Sequence, residues 1–94
     1  MKFAFLIMGD FNFERDRAEI HGGNAVIVGV KNIEEAADAA RQLQKDGFGC
    51  IELCGEFGKK GAKKIIEATE NKLPLGYITH LPEQNELYDT IFKN

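Results

Sequence analysis

Four side chains in this sequence have the chemistry of a nucleophile, a general acid or base, or a ligand: His21, Glu52, Cys54 and His80. Glu52 lies in the run Gly49 to Leu53 (GCIEL), which reads as a strand, so a carboxylate there needs a partner, an open face or a function. In the functional reading it is a general acid/base or a ligand group; in the plain reading its face is partly open or an arginine such as Arg15 or Arg17 pairs with it. Cys54 and His80 fall at or just past the ends of apolar runs read as parallel strands, the edge where α/β folds place ligands. His21 closes a long loop and is expected to reach the same edge. A Cys, a His and a Glu in one cleft suit nucleophilic or metal chemistry, but no pair has zinc-ligand spacing, so no metal is assigned. The plain alternative for each is an inert cysteine or a hydrogen-bonded histidine.

A second candidate is the turn Gly55 to Gly61 (GEFGKKG) between a strand and a helix. Free backbone N–H groups and a helix dipole favour an anion there, which makes Gly55, Gly58, Lys59 and Lys60 a candidate phosphate or carboxylate site. The run matches neither GxxxxGK[ST] nor GxGxxG. The plain reading, turn glycines followed by a solvated lysine face with Lys63 and Lys64, is the favoured one.

The elements that must position these residues follow from pattern. Lys2 to Met8 (KFAFLIM) and Asn24 to Val30 (NAVIVGV) are apolar at odd and even positions alike, as in strands of a parallel sheet covered on both faces. Asn32, with Glu35 three residues on, caps a helix whose apolar stripe is Ile33, Ala36, Ala37, Ala40 and Leu43. Gly47 ends it in the C′ position. The strand Gly49 to Leu53 follows, then a helix from Lys59 to about Glu70 burying Ala62, Ile65, Ile66 and Thr69. Pro74 precedes a fourth strand, Leu75 to Thr79, and Pro82 starts a last helix with the stripe Leu87, Tyr88, Ile91 and Phe92. The segment Gly9 to Gly23 is longer than an ordinary connection. Its Phe11 and Phe13 predict that it packs down, and a short helix over Glu14 to Ile20 would make it a simple crossover.

The expectation is therefore a single α/β domain over residues 1–94, with a small, mostly parallel four-stranded sheet and about three helices in the order strand, strand, helix, strand, helix, strand, helix. Right-handed crossovers put both middle helices on one face if strands two, three and four lie side by side. The apolar second face then requires a strand-order reversal, cover from the last helix, or another subunit.

Composition sets the outer bounds. Apolar residues make up 44% and charged residues 29% of the 94, enough to bury a core without a disulfide or metal. A net charge of −3 supplies no basic field for nucleic acid. No apolar run reaches the roughly 20 residues of a membrane helix, and the N-terminal run has no leader pattern. Cys50 and Cys54, four apart on a strand, sit on the order of 13 Å apart, beyond disulfide reach. Reduced thiols and the missing leader make the cytoplasm the expected compartment.

The segments MGDF, DRAEIHGG, GCIELCGEFG, GAKKIIEAT and GYITHLPEQNEL resemble a family of small bacterial proteins catalogued as domain of unknown function 6506. The resemblance covers nearly the whole chain and implies a stand-alone domain; it carries no activity, cofactor or site residue. Gly47 to His80 also looks like a piece of a (β/α) barrel, an analogy of fold alone. The functional expectation is a binding domain, or an enzyme, with a small polar or anionic ligand at the strands' carboxyl ends among His21, Glu52, Cys54, the Gly55 to Gly58 turn and His80. The alternative is an interaction protein without such a site, a homo-oligomer and first of all a dimer, whose contact is the Cys50, Glu52 and Cys54 face.

Overall fold

In the computed structural model, which describes residues 1–92, the first strand stands in the middle of the sheet. The strands are β1 (Phe3–Met8), β2 (Arg17–Ile20), β3 (Ala25–Val30), β4 (Cys50–Leu53) and β5 (Leu75–Tyr77), in the spatial order β2-β3-β1-β4-β5. β1 pairs in parallel with β3 and β4, and β4 with β5, while β2 runs antiparallel to β3. The helices are α1 (Ile33–Lys45), α2 (Gly58–Ala68) and α3 (Asn85–Phe92). The fold is mixed α/β on a mostly parallel sheet, with five strands instead of the expected four.

The added strand is β2, in the segment where a short helix was expected. It is four residues long, fully exposed, and returns to β3 through a tight turn in which His21, Gly22 and Gly23 all have positive φ. The preceding loop folds on itself: Asn12 Oδ1 accepts the amides of Glu14 and Arg15. Phe13 packs against the core, and Phe11 lies on Gly29 so closely that a Cβ there would fall 2.6 Å from the ring. The loop packs down as its phenylalanines predict.

The middle helices begin and end where their residues dictate. Asn32 Oδ1 accepts the Glu35 amide at 2.9 Å, and Glu35 reaches back to the Lys31 amide. At the far end Gly47 has φ +88, its amide bonds to Gln44 O, and that of Phe48 bonds to Leu43 O. This is a complete Schellman closure, with Phe48 and Leu43 both in the core. α2 buries Gly61, Ala62 and Ile65, and the buried Thr69 just beyond it returns its hydroxyl to the Ile65 and Ile66 carbonyls.

The chain moves from β3 across β1 to β4 and on to β5 without reversing direction, so right-handed crossovers carry α1 and α2 to the same side. The core fills that side: Ala4, Leu6, Val26, Val28, Ile51 and Leu53 from the strands meet Ala36, Ala40, Leu43, Ala62 and Ile65 from the helices. The other side is open. Phe3, Phe5 and Ile7 of β1 and Ile27 of β3 point there, and Ile27 is 48% exposed. The expectation that both faces are covered thus fails among the described residues: the strand order does reverse at β1, the chain passing first to the β3 side and then back across β1 to β4, but the connection on the β3 side is a loop and strand β2 and lays no α-helix on the open face, and no residue of α3 is buried.

Candidate functional site

Cys54, Gly55 and His80 come together at the carboxyl ends of β1, β4 and β5. The chain leaving β4 is tied down there by three bonds. The Cys54 amide donates to Leu6 O at 3.0 Å, the Met8 amide to Cys54 Sγ at 3.3 Å, and the Ile78 amide to Leu53 O at 3.0 Å. Gly55 lets the Ile78 carbonyl approach, since a Cβ would lie 3.3 Å from that oxygen. Beyond β5 the chain runs through His80 to a 3-10 turn, Pro82–Gln84, and then α3. The His80 ring stacks on Tyr88 with centroids 3.9 Å apart, and Tyr88 stacks on Phe92 at 5.6 Å. His80 Nε2 lies 2.7 Å from Asn85 Oδ1, to which it donates when it carries the ring proton.

This aromatic ladder holds α3 over the strand ends and borders an open cleft of about 840 Å³, most of whose lining residues are exposed. Met8, Tyr77, Ile78, Tyr88 and Phe92 give it an apolar wall; Cys54, Glu56, Thr79, His80 and Asp89 supply the polar groups. Its volume falls within the roughly 300 to 1,000 Å³ of small-molecule pockets and its lining is mostly apolar, but it is more open than such pockets usually are. Among the described residues no Lys or Arg lines it, and two carboxylates do.

The other candidates lie elsewhere. His21 sits in the β2–β3 turn, at the amino end of the parallel strands, so it does not reach the cleft; antiparallel β2 carries it to the opposite end of the sheet. Its φ of +52 makes it a turn residue. Glu52 faces the open side between Phe5 and Gly76, with its Oε1 2.7 Å from where a Gly76 Cβ would stand. It is half-buried and forms no ion pair with Arg15 or Arg17; the latter faces Glu19 at 3.9 Å. Gly55 lines the cleft, but Gly58, Lys59 and Lys60 do not, and both lysines are exposed. The candidate constellation therefore splits into four places: the cleft, the β2–β3 turn, the open sheet face and the α2 turn.

Cys54 Sγ takes its hydrogen bond from the Met8 amide and His80 shares its own with Asn85, so the two are not paired as nucleophile and base would be. Among the described residues no three His, Cys, Asp or Glu side chains gather as a metal site requires. Cys50, on the open face, has its thiol pushed above the ordinary range by burial and then by the neighbouring Glu52 carboxylate. Tyr88, Phe92, Asp89 and Glu56 enter the cleft without having been singled out as site residues. The one sequence signal for them was the i, i+4 aromatic pair Tyr88 and Phe92 inside the last helix's stripe.

The sequence profile of a family of unknown function (DUF6506) matches residues 1–93. The chain belongs to that family. The match takes in every element of DUF6506 described above, including α3 and the aromatic ladder, so the cleft lies wholly within the family's span. No curated protein and no solved structure gives a significant match. No helix among the described residues is long and apolar enough to cross a membrane.

Proposed function

We propose that this DUF6506 protein binds a small organic molecule in the cleft between α3 and the carboxyl ends of β1, β4 and β5. The observation that carries this reading is the 840 Å³ concavity itself, apolar along the strand ends and α3, with polar groups converging from three elements. Its charge selects the ligand class. Among the described lining residues an anion would meet Glu56 and Asp89 and no basic side chain, so the cleft suits an uncharged or cationic molecule with a flat apolar part that lies against Tyr88 or Phe92. The anion expected at the Gly55 to Lys60 turn would bind outside this cleft, since Gly58, Lys59 and Lys60 do not line it. Binding is favoured over catalysis because the thiol and the imidazole each have another hydrogen-bond partner.

Thermal-shift screening of uncharged heteroaromatics, aromatic amines and, for contrast, sugar phosphates and carboxylates tests this. A ligand at a hundredfold excess over its Kd stabilises the native state by about 2.7 kcal/mol, which is roughly 10 °C or more in a domain of this size. Tyr88→Ala should remove the shift, and Lys59→Ala with Lys60→Ala should leave it intact. Shifts given only by anions, and lost in the double lysine variant, would place the ligand at the α2 turn and defeat the cleft reading.

A further inference from the structure

The cleft is one-sided in charge. Glu56 enters it from the turn after β4 and Asp89 from α3, and neither forms a salt bridge among the described residues. The wall that carries Asp89 continues the bias: Leu73 to Phe92, the stretch that builds β5 and α3, holds Glu83, Glu86 and Asp89 and no Lys or Arg. Those three negative charges equal the net charge of the whole chain, −3, so the remainder is balanced and the excess sits on this wall. A field of one sign over a low-dielectric cleft concentrates ligands of the other sign.

Aromatic rings border the same space. One face of Tyr88 is taken by His80 at 3.9 Å, but Phe92, at the end of the ladder, is 63% exposed, and Tyr77 stacks on no aromatic ring among the described residues. Both rings line the cleft. These features select among cations. A divalent metal ion needs several oxygen ligands at once, and among the described residues no three His, Cys, Asp or Glu side chains gather. An alkylated ammonium carries its charge on an apolar surface and is attracted by the face of an aromatic ring, so one group satisfies the rings and the carboxylates together.

We propose that the ligand of this cleft is an organic cation, an alkylated ammonium joined to an apolar body, its charge received by the Phe92 and Tyr77 rings and by the Glu56 and Asp89 carboxylates. The proposal rests on the cleft reading and narrows it from uncharged or cationic molecules to cationic ones.

Two probes of one shape separate charge from fit: trimethyl(para-hydroxyphenyl)ammonium and its uncharged carbon isostere, para-tert-butylphenol. Each is titrated into the full chain at about pH 7 and followed by amide chemical shifts. The cation should bind about tenfold or more tightly than the phenol, and raising salt from about 0.05 to about 0.5 M should weaken the cation alone. Asp89→Asn and Glu56→Gln, both at exposed positions, should each reduce the preference severalfold and leave phenol binding unchanged. Equal affinity for the two probes, or a preference that survives both substitutions together, overturns the proposal and leaves the cleft reading standing. Cation binding that persists in Tyr88→Ala lies elsewhere on the protein and also overturns it. So does binding of neither probe up to about 2 mM, and the cleft reading falls with it only where the thermal-shift screen is blank as well.

Discussion

Replacing Gly29 by alanine puts a methyl group where the Phe11 ring lies. The new Cβ falls 2.6 Å from Phe11 Cγ and 2.9 Å from its Cβ and Cδ1, closer than real carbon contacts allow. Gly29 lies inside β3, without the positive φ found at the turn glycines, so alanine brings no backbone strain and in a strand gains about 0.5 to 1 kcal/mol over glycine. Any loss is therefore steric. Either the strand and ring shift, at about 1 to 3 kcal/mol for overpacking, or the half-buried ring is expelled and forfeits about half of the 1.5 to 3 kcal/mol that full burial of a Phe is worth. Net of the alanine gain, the first route costs up to about 2.5 kcal/mol and the second up to about 1 kcal/mol, so the expected destabilisation is about 1 kcal/mol, or roughly 4 to 8 °C in Tm. Urea denaturation at one fixed protein concentration measures it, since subunit association would otherwise shift the midpoint. The double variant Phe11→Ala with Gly29→Ala should be at least as stable as Phe11→Ala alone, because the methyl then fills space the ring has left. Strict additivity in that cycle, or an unchanged midpoint for Gly29→Ala, would refute the placement of the loop.

Gly47→Val should cost more than about 1 kcal/mol, because φ +88 is a left-handed backbone that a branched residue resists; an unchanged denaturation midpoint would count against the Schellman closure. Asn32→Ala removes the acceptor of the Glu35 amide and should cost about 1 kcal/mol, most of it recovered by Asn32→Asp, again read by urea denaturation. The raised Cys50 thiol keeps its proton in the native state where the unfolded chain releases it. Its contribution is thus complete below the ordinary thiol pKa and is lost as pH rises through and above that value. Stability measured from about pH 7 to about pH 10 should fall less steeply in Cys50→Ala than in the wild type. Thiol titration of denatured, non-reduced protein should find both cysteines free.

What could be read from the sequence was governed by local chemistry. α1 is legible from both ends because Asn32 and Gly47 do their work through backbone groups within a few residues. The two-sided apolarity of β1 and β3 was equally legible, and the open face accounts for it: Phe5 and Ile27 are apolar although no element of the same chain covers them. β2 was missed because Arg17, Ala18, Glu19 and Ile20 show no buried alternation, all four being exposed; the glycine-rich turn after them was the available hairpin signal. Misplacing His21 followed directly, since an antiparallel strand reverses the end at which its turn lies. The cleft was half legible. Cys54 and His80 mark strand ends, but the return of Tyr88 and Phe92 over them depends on the direction the chain takes after Pro82, which no local pattern encodes.

The central position of β1 bears on how the chain is made. Phe3, at the start of β1, pairs with Ala25 on one side and with Cys50 on the other, and the second partner follows 47 residues later, at position 50 against position 3. Closing such long loops before the contacts reward it slows folding, so this domain should fold more slowly than a helical bundle of its length. Until β4 arrives, the most apolar strand has an unsatisfied edge, the form of exposure through which partly folded chains aggregate. Delaying completion of β4, by rare codons or by a fusion inserted in the Gly47 turn, should lower the yield through aggregation even where the finished fold is unchanged. In this protein the nascent chain is most vulnerable along its first strand.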